Sequence, residues 1–289
     1  MASFSQWVAA ARLRTLPMAI APVVVGSAAA ADLGAFHLGK AILALIVGLA
    51  LQIGVNYSND YSDGIRGTDD DRVGPFRITG SGASEPKTVR NMAFAFYGLA
   101  AVAGLVLTIW SQAWWLLLVG VAAIIAAWFY TGGPRPYGYR GLGEIFVFIF
   151  FGLVAVLGTT YTQANELSGL AVTGAIGTGL VSTALLMANN VRDIPTDRQA
   201  GKLTLAVRLG DTKARWSYPI MLAIAVGVPL LFAQEHPGLW VMLVLLVISV
   251  RPSLIMLEAE ERAELIPVLK MTGLFGILYA VVFTLGVVL

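Results

Sequence analysis

The chain has 289 residues, of which 57% are hydrophobic and only 12% are charged, and its formal net charge is +2. Soluble proteins carry roughly twice this share of charge, and the mean hydropathy is +0.78, so a soluble globular protein is excluded. We therefore predict an all-α, polytopic membrane protein. The absence of cysteine excludes disulfides and thiolate metal sites. The two histidines, His37 and His236, fall in short predicted loops, which argues against a histidine-rich metal site.

Nine segments qualify, some of them marginally, as membrane-spanning helices, which need about 20 mostly apolar residues. The first could also be a signal peptide, but its apolar run exceeds the usual length of about 7–15 residues, which favours a retained span. We predict one integral membrane domain over residues 1–289, and nine helices would allow two four-helix halves around a central cavity. The predicted spans are 13–31, 39–59, 91–110, 113–130, 142–162, 168–188, 216–233, 237–252 and 266–288.

The distribution of basic residues predicts the orientation of these spans. If the N-terminus lies in the cytoplasm, every Lys and Arg except Lys40 falls in a segment on the inner side. The positive-inside rule predicts such an excess of Lys and Arg on the cytoplasmic side of the membrane. We therefore expect a multi-pass protein of the cell membrane with a cytoplasmic N-terminus.

A first acidic motif, NYSNDYSDGIRGTDDDR, follows directly on the apolar part of the second span. If the helix continues, Asn56, Asn59, Asp60 and Asp63 occupy positions i, i+3, i+4 and i+7 on one face. Carboxylates and amides on one face suit Mg²⁺, which takes one or two carboxylates and completes its shell with water and phosphate oxygens.

An alternative interpretation of this motif is a solvated acidic loop, and the run Asp69, Asp70 and Asp71 fits that interpretation well. Asp60 and Asp63 fit it less well, because they lie against the membrane core, where an ionisable group is costly and usually functional. We therefore predict that Asp60 and Asp63 bind metal or phosphate, and that Asp69 is a further metal ligand.

A second acidic motif, NNVRDIPTDRQAGK, follows the sixth span and places Asn189, Asp193 and Asp197 at positions i, i+4 and i+8. These residues could simply cap a helix end. The interleaved basic residues favour a diphosphate site instead, because Arg and Lys bind the phosphate oxygens that metal ions leave open. The candidates in this motif for binding the diphosphate or its metal ions are Asn189, Asn190, Arg192, Asp193, Asp197 and Lys202.

Both acidic motifs follow even-numbered spans and therefore lie on the same predicted cytoplasmic side. We expect the two helix tips to approach within reach of one diphosphate, which predicts an intramembrane enzyme for prenyl diphosphates. Two loops are candidates for completing the site. The segment 74–90 is either an ordinary connector or a cover that brings Arg72 or Arg77 over the phosphates. The segment 130–144 is either a rigid turn or the place where Tyr139 meets an aromatic acceptor.

These motifs resemble those of the UbiA-type intramembrane aromatic prenyltransferases, whose first motif is N-D-x-x-D-x-x-x-D. Asn59, Asp60 and Asp63 match, whereas Gly67 takes the last position and the next acid is Asp69. This variant resembles the branch that prenylates 1,4-dihydroxy-2-naphthoate in menaquinone synthesis. The stretches RLRTLPMAIAPV, YTGGPRPYGYRGLGE and NNVRDIPTDRQAGKLTLAVRLG are similar to that branch too, so the likeness covers nearly the whole chain.

The resemblance implies a Mg²⁺-dependent polyprenyl transfer. Metal ions would grip the diphosphate of a polyprenyl diphosphate, and Lys202 would stabilise the leaving group while an allylic cation forms in a pocket without water. The naphthoate ring would attack at the carbon bearing its carboxylate, and loss of CO₂ would give demethylmenaquinone. The tail would lie between helices beside membrane lipid, and no nucleic-acid partner is implied. The implied catalytic set is Asp60, Asp63, Asp193, Asp197 and Lys202, and the implied metal ligands are Asp60, Asp63, Asp69, Asp193 and Asp197.

Three other functions remain open at this point. A related enzyme would use another acceptor, such as 4-hydroxybenzoate, haem or a chlorophyll precursor. A secondary transporter would have its ion sites near the bilayer midplane, whereas these acids flank the spans at one face. A CDP-alcohol phosphotransferase would need the motif D-G-x-x-A-R, and Asp63-Gly64 is not followed by its Ala-Arg.

Overall fold

The computed structural model describes residues 2–67 and 76–289, and this part of the chain contains helices and no strand. Most helices are long, and three are short connecting segments. The helices are α1 (Phe4–Ala10), α2 (Pro17–Asp32), α3 (Leu38–Gly64), α4 (Pro86–Ser111), α5 (Leu116–Phe129), α6 (Gly143–Ala164), α7 (Gly169–Arg192), α8 (Ile194–Gln199), α9 (Leu205–Leu209), α10 (Asp211–Phe232), α11 (Pro237–Glu258) and α12 (Arg262–Val288).

Each predicted span coincides with a helix, and the chain is a multi-pass membrane protein. Seven helices in the described residues are long and apolar enough to cross a bilayer. An eighth span results if Phe4–Thr15 and Pro17–Asp32, which meet at an angle of 48°, are counted as one broken helix. The remaining predicted span corresponds to α5, which has 14 residues. At about 1.5 Å per residue, α5 is shorter than the bilayer core of about 30 Å.

Helix α2 occupies the centre of the molecule, where it packs against α3, α6, α7 and α12. Its sequence is rich in alanine, and eleven of its sixteen residues are buried. Small side chains let neighbouring helices approach closely, which is how membrane helices gain packing contacts without a strong hydrophobic force between them. The largest buried cluster surrounds this centre and includes Tyr218, Phe275 and Tyr279 from α10 and α12.

Helices α6 and α7 meet backbone to backbone. A β-carbon on Gly152 would lie 2.6 Å from the α-carbon of Gly179 and 2.7 Å from the carbonyl oxygen of Ala175, so no larger residue fits there. Gly152 lies in a π-helical stretch, Phe148–Val154. Such wide turns are uncommon and often occur at functional sites. The same stretch carries Phe150 and Phe151 to the wall of a large internal chamber.

This chamber is enclosed by α2 to α7 rather than by two equal halves. Among the described residues, α12 contributes Leu269 to the lining of the chamber, and α10 and α11 contribute no residue. The expected pair of four-helix halves around a central cavity therefore differs from the structure, because α10 and α11 pack on the outside of α7 and α12. On that side, Gly174 and Gly177 of α7 pack closely against Phe283 and Tyr279 of α12.

Helix α3 continues to Gly64, five residues beyond the end of the predicted span. The polar residues of the first acidic motif are therefore helical, as the periodicity predicted. At the tip of α3, Asp60 contacts the loop before α4, and Asp63 contacts Tyr139 and Lys202 in the loops after α5 and α8. Asn190, near the C-terminal end of α7, contacts Glu144 at the start of α6. The polar residues of both motifs lie at this end of the chamber.

Candidate active site

Asp63, on the last turn of α3, joins the two acidic motifs. Its Oδ1 lies 3.4 Å from Nζ of Lys202, which is 139 residues away in the sequence. The hydroxyl of Tyr139 donates to the same oxygen at 2.5 Å, and Nη2 of Arg77 lies 3.5 Å from Oδ2. Asp63 is only 3% exposed. The tip of α3 therefore contacts the second acidic motif through Lys202, and two cations and a phenol surround the Asp63 carboxylate.

The second motif keeps its helical spacing although the helix is interrupted at Asp193. Helix α7 ends at Arg192 and α8 starts at Ile194, yet the N–H of Asp193 donates to the Asn189 carbonyl and the N–H of Asp197 donates to the Asp193 carbonyl. The predicted i, i+4, i+8 series therefore survives although the helix is interrupted two residues before Pro195.

Proline explains this break. Pro195 has no N–H to donate to the carbonyl of Val191, four residues earlier, so that carbonyl would lose its helical partner. Nη1 of Arg262, from the start of α12, donates to this oxygen at 3.0 Å. Gly201 then turns the chain with a φ of +70°.

Arg192 lies against Asp193. Its Nε and Nη2 donate to the two carboxylate oxygens at 2.7 and 2.8 Å, and Nη2 also donates to Oδ1 of Asn189 at 2.9 Å. Arg192 is buried, and it is not among the described residues that line the chamber. The arginine predicted to bind substrate therefore holds the Asp193 carboxylate in place. Asn190 lines the chamber and donates to Oε1 of Glu144 at 2.9 Å.

Asp60 points away from this group. Its Oδ2 accepts from the backbone N–H of Ile78 at 2.9 Å and its Oδ1 from that of Thr79 at 2.8 Å. It is fully buried, and the described lining of the chamber includes Asp63 but not Asp60. Asp60 and Asp63, for which the sequence analysis predicted one role, therefore have different surroundings in the structure.

The two asparagines of the first motif line the chamber and also tie α3 to its neighbours. Nδ2 of Asn56 donates to the carbonyl of Ala11 at 2.9 Å and to Oγ1 of Thr15 at 3.0 Å. Oδ1 of Asn59 accepts from Oγ1 of Thr131 at 2.7 Å. These contacts fix the turn before α2 and the loop after α5 relative to the acidic tip of α3.

Tyr139 lies between cations as well as against Asp63. Nζ of Lys202 is 4.6 Å and the Arg66 guanidinium carbon 5.4 Å from the centre of its ring. Both distances are within the range of cation–π attraction. The carbonyl of Tyr139 accepts from the N–H of Leu203 at 2.9 Å, so the 3₁₀ turn Tyr137–Arg140 is fastened to the chain that carries Lys202.

Two further tyrosines line the chamber in a neutral form. Burial raises the pKa of Tyr137, and burial together with the nearby Glu144 carboxylate raises the pKa of Tyr130. Both hydroxyls therefore stay protonated at neutral pH. A neutral phenol offers an electron-rich ring face, and it is a far weaker nucleophile than a phenolate would be.

The chamber has a volume of about 500 Å³. Its charged and carboxamide side chains lie towards the end where the motifs meet, and mostly apolar residues of α2 to α7 line the rest. The predicted site residues that line it are Asn56, Asn59, Asp63, Arg77, Tyr139, Asn189, Asn190, Asp193, Asp197 and Lys202. Asp69 and Arg72 lie outside the described residues, as do Asp70 and Asp71.

The donor set of the chamber fits Mg²⁺ bound together with a phosphate. Asp63, Asp193 and Asp197 supply carboxylate oxygens and four asparagines supply amides, and oxygen is the ligand that Mg²⁺ prefers. Among the described residues, no three acidic or histidine side chains are grouped closely enough to hold a metal by themselves. This matches an ion that takes one or two carboxylates and completes its shell with substrate phosphate and water.

Arg12 is a chamber residue that the motif analysis missed. It lines the chamber beside Thr15 and Asn56, and its backbone has the left-handed φ of 53°. Such a conformation is unfavourable for a residue with a β-carbon and is often retained at functional sites. The sequence analysis counted Arg12 only as an inner-side charge, although its place at the start of RLRTLP, next to an apolar span, was a signal.

The sequence pattern of the UbiA prenyltransferase family matches residues 19–287. The chain belongs to this family.

Relatives within the UbiA family agree with the match. The chain is 52% identical to a protein of Mycobacterium tuberculosis (strain ATCC 25618 / H37Rv) named 1,4-dihydroxy-2-naphthoate octaprenyltransferase, over 97% of this chain and 96% of that protein. It is 48% identical to the Mycobacterium leprae (strain TN) protein of the same name, over 97% and 95% of the two chains. A UbiA homolog from Archaeoglobus fulgidus bound to DMAPP and Mg²⁺ has the same fold, with a TM-score of 0.68, 17% identity and coverage of 96% and 99%.

Proposed function

We propose that this UbiA protein transfers a polyprenyl group from polyprenyl diphosphate to 1,4-dihydroxy-2-naphthoate, with loss of diphosphate and CO₂. The observation that carries the proposal is the contact between Asp63 and Lys202, which brings both acidic motifs to the end of one largely apolar chamber. Relatives with 48–52% identity that are named 1,4-dihydroxy-2-naphthoate octaprenyltransferase support the choice of acceptor.

The diphosphate binds at the polar end of the chamber. Asp63, Asp193 and Asp197 would hold Mg²⁺, which when bound supplies positive charge that neutralises the leaving diphosphate. Lys202 and Arg77 lie against Asp63 and can donate to the phosphate oxygens that remain. Asp69 and Arg72 remain proposed members of the same set from the sequence.

The apolar part of the chamber holds the prenyl chain and keeps water from the allylic cation. Aromatic ring faces attract cations, and Tyr130, Tyr137, Phe146 and Phe150 bring such rings to the chamber wall. Because Tyr130 and Tyr137 stay neutral, neither competes with the acceptor ring as a phenolate. Tyr139 donates to Asp63, and in this proposal it would lie between the diphosphate and the acceptor.

The acceptor carboxylate binds Arg12 in this proposal. The guanidinium lies in the chamber wall, and the turn that carries it is locked to α3 by Asn56 and by Gln52, whose Nε2 donates to Oγ1 of Thr15 at 2.8 Å. A guanidinium recognises a planar carboxylate through two parallel hydrogen bonds. An arginine fixed in this way selects an aromatic acid.

The reaction balances without an oxidant. The C1–O bond of the prenyl diphosphate breaks with its electron pair on diphosphate, and the ring carbon forms the new C–C bond. The bond to the carboxylate then breaks and returns its electron pair to the ring, releasing CO₂. Both ring hydroxyls are retained, so the immediate product is the quinol form of demethylmenaquinone.

The chain works as a single domain in the cell membrane. We place the N-terminus and the acidic helix tips on the cytoplasmic side, because every basic residue except Lys40 falls on the inner side of nine spans. This arrangement counts the bent pair as one span and the short helix α5 as another. The prenyl tail then enters from the lipid while the diphosphate stays at the cytoplasmic face.

An acceptor comparison tests the proposed function. The purified protein is supplied with Mg²⁺, geranyl diphosphate and either carboxyl-labelled 1,4-dihydroxy-2-naphthoate or 4-hydroxybenzoate. We expect one labelled CO₂ per prenyl group transferred to the naphthoate and little product from 4-hydroxybenzoate. A product that keeps its carboxylate, or activity with 4-hydroxybenzoate alone, would contradict the proposal.

Replacing Arg12 with glutamine should raise the KM for 1,4-dihydroxy-2-naphthoate by about 10–100-fold, since a charge-assisted hydrogen bond to the carboxylate is lost. The KM for prenyl diphosphate should change little. Steady-state kinetics with each substrate varied in turn measures both values.

Arg14→Gln is the matched control, because Arg14 is exposed and does not belong to the described chamber lining. Naphthalene-1,4-diol, which has no carboxylate, should be prenylated equally well by the wild type and by Arg12→Gln. If Arg12→Gln loses activity with this diol as severely as with 1,4-dihydroxy-2-naphthoate, Arg12 does not bind the carboxylate.

A further inference from the structure

We propose that Asp60 is a positioning residue that holds Arg77 at the diphosphate site, and that it is not a metal ligand. This assignment rests on the proposed function only in naming the diphosphate as the partner of Arg77. Asp60 belongs to the acidic motif by sequence, but its carboxylate accepts hydrogen bonds from the backbone of the loop that precedes α4.

The first observation is that both oxygens of Asp60 accept backbone hydrogen bonds. The N–H groups of Ile78 and Thr79 donate to Oδ2 and Oδ1 at 2.9 and 2.8 Å, and the carboxylate is fully buried. Hydrogen bonds to a charged acceptor are about twice as strong as neutral ones. The carboxylate therefore fixes two consecutive peptide groups immediately after Arg77.

The second observation is the close packing of the same loop on α3. A β-carbon on Gly64 would lie 2.5 Å from Cγ2 of Thr79 and 3.3 Å from the nitrogen of Gly80. Ile78 is fully buried in a cluster with Tyr57 and Tyr97. The absence of a side chain at position 64 thus lets the loop approach close enough for its N–H groups to reach Asp60.

These contacts fix Arg77 on both sides. Asp60 and Asp63 are three residues apart on α3, so one holds the backbone after Arg77 while the other contacts its guanidinium at 3.5 Å. Arg77 lines the chamber and its side chain is 9% exposed. Without Asp60, the loop would lose the anchor that brings this arginine to the polar end of the chamber.

Hydrogen exchange on the metal-free protein in detergent tests the anchor independently of catalysis. In Asp60→Asn, one of the two N–H groups loses its carboxylate acceptor, so we expect the amides of residues 78–79 to exchange at least about tenfold faster. Glu85→Gln is the matched control, because it removes a carboxylate from an exposed position at the end of the same loop. It should leave this exchange unchanged.

Gly64→Ala provides a second variant that leaves Asp60 in place. Its new methyl group displaces Thr79, so it should speed the same exchange and raise the KM for prenyl diphosphate in the same direction as Asp60→Asn. This variant keeps the proposal testable if Asp60→Asn does not fold.

Kinetics separate positioning from metal binding. Asp60→Asn should raise the KM for geranyl diphosphate by about tenfold, while the Mg²⁺ concentration for half-maximal activity stays within about twofold of wild type. In an Arg77→Ala background, Asp60→Asn should add less than about a twofold effect, because residues that act through one another are not additive.

Three results would overturn the assignment. Unchanged exchange at residues 78–79 would show that Asp60 does not anchor the loop. A large rise in the Mg²⁺ requirement, with independent effects of Asp60→Asn and Arg77→Ala, would make Asp60 a metal ligand. Faster exchange with unchanged kinetics would show that Asp60 stabilises the loop but does not position Arg77 for catalysis. Failure of the proposed function is a separate outcome, because it would abolish prenyl transfer in the wild type and leave the exchange result intact.

Discussion

Replacing Asp63 with asparagine should lower kcat/KM for prenyl transfer by at least about 100-fold, the scale on which loss of one transition-state electrostatic contact acts. Asparagine preserves the shape of the side chain and can still accept from Tyr139. It removes the negative charge that lies next to Lys202 and Arg77 and that would hold Mg²⁺. The measurement is single-turnover prenylation with saturating Mg²⁺.

Folding of this variant must be checked separately, because Asp63 is buried beside two cations. Gel filtration in detergent and thermal unfolding with and without diphosphate would show whether the helical bundle is intact. A folded Asp63→Asn protein with near-normal turnover would remove Asp63 from the site, and with it the contact on which the proposed function rests.

Removal of divalent metal should abolish activity, and added Mg²⁺ should restore it. A sharper expectation concerns how the metal binds. Since Mg²⁺ usually takes one or two carboxylates and completes its shell with water and phosphate oxygens, it should bind weakly until a diphosphate supplies oxygens. We expect Mn²⁺, used as a paramagnetic probe of the same site, to bind at least about tenfold more tightly when inorganic pyrophosphate is present.

The control for metal removal is the chelator already saturated with Mg²⁺, which should not inhibit. Two results would contradict the expectation. One is full activity after exhaustive dialysis against EDTA. The other is tight Mn²⁺ binding without pyrophosphate, which would require a complete set of protein ligands.

The sequence predicted the helices and the pairing of the two motifs well, for a clear physical reason. Long apolar runs and the distribution of Lys and Arg constrain a membrane protein far more than a soluble one. The 3.6-residue period kept Asn59 and Asp63 together on α3, and it kept Asp193 and Asp197 together even where Pro195 interrupts the helix. Both pairs line the chamber.

The sequence could not predict the surroundings of Asp60, because its contacts come from a loop that is distant in the sequence. Asp60 and Asp63 are about 60° apart around a helix, which is close enough to be counted as one face and far enough to meet different neighbours. Only the loop at Ile78 and Thr79, which has no periodic pattern, shows that Asp60 turns away from the chamber. The pairing of Arg192 with Asp193 could not be predicted either, because it depends on the local turn.

The glycine contact between α6 and α7 means that the two sides of the substrate cavity differ in compliance. The wall formed by α6 and α7 is closely packed, since a β-carbon on Gly152 would lie 2.6 Å from the α-carbon of Gly179. Another part of the wall is α5, a short helix with only Ala126 and Ala127 buried. We therefore expect isoprenoid chains of different length to displace α5 rather than α6 and α7.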